Sequence, residues 1–347
     1  ARGASARNAL VMTLASGPRT IVVTGATGFL GGAVARRLAR DGHHVRALGR
    51  NASALAELAS LGIETRAVAL EDADAIAEAC ANAHAVVHAA ALSSPWGSVI
   101  DFHRANVTGT QHVLQAAQRR AASGARVVHI SSPSVYFRFA DQFDVKEETP
   151  FPHTTPSPYI ATKRAAELLV GAAAREGLDV IGLRPRAIFG PGDTSLLPRL
   201  LRAAATGRLR VIGDGLTVAD LTYIDNVVDA VLLALGAPKN VAGRFYNITN
   251  GEPVRLWDVI AELCAANDTP IRSGTLPRAL AMTIAQLLEI AARWRTGATE
   301  PLLTRYSVAV LSYSQTLSIE AAARDLRYEP RVGMREAIAR TLPQRRP

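Results

Sequence analysis

Tyr159 and Lys163 stand four residues apart in "YIATK", a spacing that puts both on one face of a helix. With so few tyrosines and lysines in the chain, roughly 0.06 such pairs are expected by chance, so the pairing carries weight. An ammonium beside a phenol favours the phenolate and lowers its pKa, giving a proton donor and acceptor usable near neutral pH. That chemistry suits a carbonyl undergoing hydride addition, and Lys163 can in addition hold a nicotinamide ribose. The developing alkoxide needs a second preorganised donor. "SSPSV" supplies Ser131, Ser132 and Ser134 at the end of an apolar run, where an open parallel sheet presents its ligand-binding groups. Ser132 is the first choice and Ser131 the second, with turn formation the competing role for each.

The cofactor for such chemistry has a matching signal. "VTGATGFLG" places Gly25, Gly28 and Gly31 in a GxxGxxG pattern between a strand-like run and a helical one. Gly25 permits the tight turn, Gly28 lets backbone approach a pyrophosphate, and Gly31 lets the helix pack closely on the strand. The helix N-terminus favours the negative charge. At the end of the second apolar run, "VRALGRN" offers Gly49 and Arg50 where an NAD enzyme usually carries an acid. A guanidinium there can pair with a 2′-phosphate, so NADP(H) is favoured over NAD(H).

The elements that must position these groups alternate along the chain. "HHVRAL", "ETRAVAL", "AVVHAA", "RVVHIS" and "DVIGLRP" read as strands separated by amphipathic stretches, which predicts an α/β, Rossmann-like doubly wound parallel sheet. After Ile188 the rhythm breaks into turn clusters such as "FGPGD" and "VIGDG". Residues 19–187 are therefore expected to form the NADP-binding domain, and residues 188–347 mainly a smaller substrate-binding lobe. Residues 1–18 are expected to be a disordered extension, with Met12 an alternative start.

Bulk composition narrows the function classes. The net charge is +9, yet the only lysines are Lys146, Lys163 and Lys239, and the arginines are scattered without interleaved aromatics. Nucleic-acid binding is not expected. No uncharged apolar run reaches the ~18 residues of a membrane span, and a soluble, cytoplasmic protein is expected. Cys80 and Cys264 lack the paired spacing of a metal or redox site, and His88 and His129 sit in apolar runs without a second ligand. No metal is expected.

Taken together, "TGATGFLGG", "VVHAAA", "NVTGTQHVLQAA", "SSPSV", "YIATK", "LRPRAIFGPGD" and "DLTYIDNVVDA" resemble the extended short-chain dehydrogenases/reductases, over residues 20 to about 340. "PLLTRY" and "RDLRYEPRVGMREAI" look like the 3β-hydroxysteroid dehydrogenase branch. "PWGS", "SSPSV" and "RPRAIFGPGD" look most like the 2-alkyl-3-oxoalkanoate reductases of bacterial olefin synthesis. The resemblance implies Ser132, Tyr159 and Lys163 as the catalytic set, with Asn106 in a supporting, helix-shaping role. It implies a cofactor site of Gly25, Thr27, Gly28, Phe29, Leu30, Gly31, Arg50, Ala89, Ala90, Asn106, Ser131, Tyr159, Lys163, Pro185 and Ile188. Substrate is expected to meet Ser132 and Tyr159; an acidic head group would want a cation beside the nicotinamide, for which Arg186 in "LRPRAIF" is the nearest sequence candidate, with contact to the cofactor its alternative role. Two departures stand out: Ala69 and Leu70 replace the Asp many relatives carry after the third strand, and Ser132 stands where the olefin-pathway relatives often have Thr.

The expected function is an NADP(H)-dependent ketoreductase or dehydrogenase for a large apolar substrate, with a homodimer as the expected assembly. A 3β-hydroxysteroid dehydrogenase is the alternative within the class. A nucleotide-sugar epimerase is the alternative outside it, but Gly49 and Arg50 do not match an NAD user, and "SSPSVYF" lacks the acidic pair of a 4,6-dehydratase. The segment Leu276 to Trp294 carries Leu280, Ile284, Leu287, Leu288 and Ala291 at helical spacing, with the adaptable Met282 beside them. It is expected to form a helix that either lids an apolar pocket or closes the smaller lobe.

Overall fold

The structure, a computed structural model, describes residues 17–122, 124–271, 274–294 and 300–342. The expected N-terminal extension, Met12 included, lies almost wholly outside them. Seven strands form one parallel sheet: β1 (Thr20–Thr24), β2 (His44–Gly49), β3 (Glu64–Ala67), β4 (Ala85–His88), β5 (Arg126–Ile130), β6 (Asp179–Pro185) and β7 (Phe245–Ile248). Their order is β3-β2-β1-β4-β5-β6-β7. The architecture is the expected Rossmann-like α/β fold, and the strand order reverses between β1 and β4, where such sheets open a ligand crevice.

Side-chain alternation explains why these apolar runs form a sheet covered on both faces. Val22, Val86, Val127 and Val180 belong to the core on one face, and Val23, Val87, Val128 and Ile181 to the core on the other. Each fully buried side chain of this size contributes about 1.5–3 kcal/mol of hydrophobic stabilisation. Central position therefore selects Val and Ile at consecutive residues.

The later half of the chain does not keep to itself. β7 adds to the edge beside β6, and the helix Ile224–Gly236 returns to the sheet, where Asp229 pairs with Arg37 at 3.0 Å. A second sheet joins Gln142–Val145 to Val218–Ala219, Val254–Arg255 and Gln315–Leu317, so residues from both sides of the expected boundary at 187/188 share it. The helices Leu196–Ala205, Leu256–Ala266, Arg278–Arg293 and Arg305–Ser312 surround it in sequence. No described helix is long and apolar enough to cross a membrane.

Candidate active site

The glycine turn interlocks three elements at the β1–β4 switch. Gly25 has φ +69°, and a Cβ on it would lie 2.7 Å from the Ala90 backbone. A Cβ on Gly31 would lie 2.2 Å from the Gly25 carbonyl oxygen, so the helix Phe29–Arg40 seats directly on the turn. Thr24 adds the loop after β4, accepting from the Ala90 N–H at 3.2 Å. Ala89, Ala90 and the turn thus meet at one point.

The N-terminus of the Phe29–Arg40 helix is left open. Its N-cap is the exposed Gly28, with no side-chain cap and no acid in the first turn. Asn51, Asp72, Ser157 and Thr304 close four other helices, while those beginning at Leu256 and Arg278 are likewise without a side-chain cap. Uncapped first-turn N–H groups, including those of Phe29, Leu30 and Gly31, suit a pyrophosphate, and the residues present fit a dinucleotide. At the end of β2, a Cβ on Gly49 would come within 2.3 Å of the Thr27 side chain, so a side chain at that position would have to displace Thr27. Arg50 beside it is exposed.

On the other side of the crevice, Ser157 caps the helix Pro158–Arg175 by accepting from the Ile160 N–H at 3.3 Å, and Pro158 fits the first turn. One turn apart on this helix are the half-buried Tyr159 and the buried Lys163. Lys163 Nζ donates to the Ile130 carbonyl at the end of β5 at 2.7 Å. Burial lowers its ammonium to about 8, with the carboxylate of Glu167 opposing the shift.

The three serines after β5 separate into different environments. Ser131 donates to Glu167 Oε1 at 2.5 Å and is committed to a buried network. Ser132, half-buried, accepts from the Ser134 N–H at 3.2 Å and caps the short 3₁₀ turn Pro133–Tyr136. Ser134 is buried, and its hydroxyl has no partner.

Asn106 sits in a one-turn π-helix, Arg104–Thr108, and is 2% exposed. Its Oδ1 accepts from the Leu92 N–H at 2.7 Å, and its Nδ2 donates to the Leu92 carbonyl and to Thr162 Oγ1, both at 3.1 Å. It ties the loop beyond Ala90 to the residue preceding Lys163. The extra backbone residue of a π-turn re-aims a side chain in this way. Pro185 ends β6, and Ile188 begins the short strand that pairs with Thr222–Tyr223.

Comparison with known proteins now bears on these features. The NAD dependent epimerase/dehydratase family matches residues 21–249. The chain belongs to this family. It is 38% identical over 325 residues to the 2-alkyl-3-oxoalkanoate reductase of Stenotrophomonas maltophilia, covering 92% of this chain and 97% of that protein. It is 35% identical over 272 residues to 3beta-hydroxysteroid-dehydrogenase/decarboxylase isoform 1 of Arabidopsis thaliana, covering 75% of this chain and 62% of that protein. UDP-glucuronic acid 4-epimerase from Bacillus cereus, solved in complex with NAD, shares the fold with a TM-score of 0.70 at 23% identity, over 92% of this chain and 96% of that one. The chain is an extended short-chain dehydrogenase/reductase, an oxidoreductase that uses a nicotinamide dinucleotide.

In this family member two features escaped sequence reasoning. Glu167 follows Lys163 by four residues, so helical spacing could have flagged it; it binds Arg184 through Nε at 2.8 Å and Nη2 at 2.6 Å. Tyr306 packs with Tyr159 against Phe137, Ile160 and Ala309, and no local pattern announces a contact across so many residues. The helix Arg278–Arg293 forms as expected, but its stripe faces outward. Leu280 and Leu287 are 50% and 62% exposed, while Ala281, Ala285 and Glu289 make the buried face. On the buried face the Glu289 carboxylate accepts from the Arg305 backbone N–H and guanidinium at 2.7 and 2.9 Å.

Proposed function

We propose that this chain is an NADP(H)-dependent oxidoreductase interconverting a ketone and a secondary alcohol on a large apolar substrate, with a 2-alkyl-3-oxoalkanoate the first candidate. The observation that carries this reading is the buried ammonium of Lys163 one helical turn from Tyr159, at the end of β5 and across the crevice from an uncapped helix N-terminus. When bound, the nicotinamide cofactor supplies or accepts the hydride. Tyr159 Oη gives a proton to the carbonyl oxygen as that oxygen takes up charge, and recovers it in the reverse direction. Lys163 stabilises the phenolate left behind, and Ser132 donates a hydrogen bond to the same oxygen.

Arg50, exposed beside Gly49, would pair with the 2′-phosphate, and Thr27, Pro185 and Ile188 would line the remaining cofactor path. Asn106 is a positioning residue, because its amide is already spent on Leu92 and Thr162. The identity to a 3beta-hydroxysteroid-dehydrogenase/decarboxylase supports a second reading in which the substrate is a 3β-hydroxysteroid and the direction is oxidation.

The test is NADPH and NADH consumption with a chain-length series of 3-oxo acids, run beside a 3β-hydroxysteroid with NADP⁺. Tyr159→Phe is expected to keep NADPH bound and to lose about 10²–10⁴-fold in turnover. Arg50→Ala is expected to cost about 1–3 kcal/mol of NADPH binding. Near-wild-type turnover in Tyr159→Phe, or activity confined to nucleotide-sugars, would sink the reading.

A further inference from the structure

A pocket opens between the 3₁₀ turn Pro133–Tyr136, the residues after β6 and the helix Arg305–Ser312. Its wall carries two guanidiniums, Arg138 and Arg186, and no carboxylate. Phe137 and Val310 supply apolar surface beside them. Two polar atoms here are shielded from water and have no hydrogen-bond partner, Ser134 Oγ and Arg186 Nε. Buried donors are normally paired, so a pair of them converging on one pocket calls for an acceptor from outside the chain.

The charge on Arg186 is held against its surroundings. Burial lowers its guanidinium, only partly offset by Tyr306 and Asp220, yet a guanidinium stays protonated in a protein. Asp220 does not consume this donor: its Oδ2 accepts from the Leu317 N–H at 2.7 Å, and its Oδ1 is itself without a partner. The Arg186 backbone is meanwhile fixed, with its N–H donating to the Ile248 carbonyl at 3.0 Å and its carbonyl accepting from Thr222 at 2.5 Å.

Tyr306 connects this pocket to the reacting centre. It lines the pocket, stacks edge-on to Phe137 with ring centroids 5.1 Å apart, and packs with Tyr159 in one cluster. Tyr306 is thus the residue shared by the pocket and the cluster that holds Tyr159. In a 3-oxo acid the carboxylate is separated from the keto carbon by one carbon, so a group that binds it must belong to the surroundings of the proton donor.

We propose that Arg186, Ser134 and Tyr306 form a carboxylate subsite, so that the enzyme selects the free acid of a 3-oxo substrate over the corresponding ester or simple ketone. Arg186 supplies the charge, and Ser134 and Tyr306 donate hydroxyl hydrogen bonds. This rests on the ketone-reductase reading above.

Two measurements separate the subsite from that reading. In the first, kcat/KM with NADPH is determined for a 2-alkyl-3-oxo acid and its methyl ester. The wild type is expected to favour the acid by about tenfold or more, the range of a hydrogen bond to a charged group. In Arg186→Met the ratio is expected to collapse toward one, with Arg186→Lys recovering part of it and Tyr306→Phe losing part of it. In the second, a saturated 2-alkylalkanoate, which has no ketone, is added to the protein in the presence of NADPH and Tm is read. It is expected to stabilise the wild type more than Arg186→Met, while its primary amide shows no such difference. An acid-to-ester ratio that survives Arg186→Met, or equal stabilisation of both proteins by the acid, overturns the subsite. Absence of NADPH consumption with any ketone, together with Arg186-dependent binding of the acid, would instead overturn the reductase reading alone.

Discussion

Arg184 and Arg186 leave the end of β6 two residues apart and meet different surroundings. Arg184 is 4% exposed and fully engaged: two bonds to Glu167, one to the Tyr136 hydroxyl, with Ser131 bound to the same carboxylate. Arg186 has no side-chain partner for its Nε and faces a pocket. The first arrangement satisfies a buried charge within the chain, which is how such charges become tolerable at all. The second leaves a guanidinium Nε unpaired at a pocket that Tyr306 also lines, where an external acceptor can complete it. A complete network stabilises the scaffold, and an incomplete one marks a place for substrate.

The largest effect that would test this contrast is on stability. Glu167→Ala strips the partner from Arg184 and is expected to cost about 3–5 kcal/mol in urea denaturation, the range for breaking a buried ion pair. A loss under about 1 kcal/mol would mean that the inner network does not hold the site.

The next effect is on pH dependence, because Glu167 also reaches Lys163. The Lys163 ammonium, lowered to about 8 by burial, is present below that pH and lost as pH rises through it. Ketone reduction is therefore expected to fall about tenfold per unit on the alkaline side, as support for the Tyr159 phenolate disappears. Glu167 raises the Lys163 value, so Glu167→Gln is expected to move this limb to lower pH. A limb that stayed in place would disconnect the network from the chemistry.

Smallest is the stability effect of Arg186→Met. Removing a charge that the folded chain does not satisfy is expected to change unfolding free energy by no more than about 1 kcal/mol, in either direction. A loss as large as that of Glu167→Ala would place Arg186 in the scaffold and remove the contrast.

Much of the site was legible before any fold was known. Spacing paired Tyr159 with Lys163, because four residues is close to one helical turn wherever the helix lies. The glycine pattern carried its geometry with it, since the close approaches of Gly25 and Gly31 tolerate no Cβ. Alternating apolar runs yielded the five strands named from sequence, and they yielded no account of the seventh. β7 is assigned to the sheet only by its long-range pairing with β6.

Choices among chemically equal residues were not legible. Ser131, Ser132 and Ser134 have the same hydroxyl within four positions, and Glu167, which takes up Ser131, lies on a distant helix. The stripe of the Arg278–Arg293 helix could be read as a period but not as a direction. An amphipathic pattern says which residues share a face, whereas the partner that covers a face comes from elsewhere in the chain; here the covered face is that of Ala281, Ala285 and Glu289, with Glu289 bonded to Arg305. Sequence by itself determined the chemistry-bearing pairs and the parallel sheet, because both follow from local periodicity and the absence of a Cβ. Tertiary structure alone decided which serine stays free, which arginine is satisfied and that Tyr306 stands beside Tyr159, because hydrogen bonding and burial depend on groups that meet only once the chain has folded.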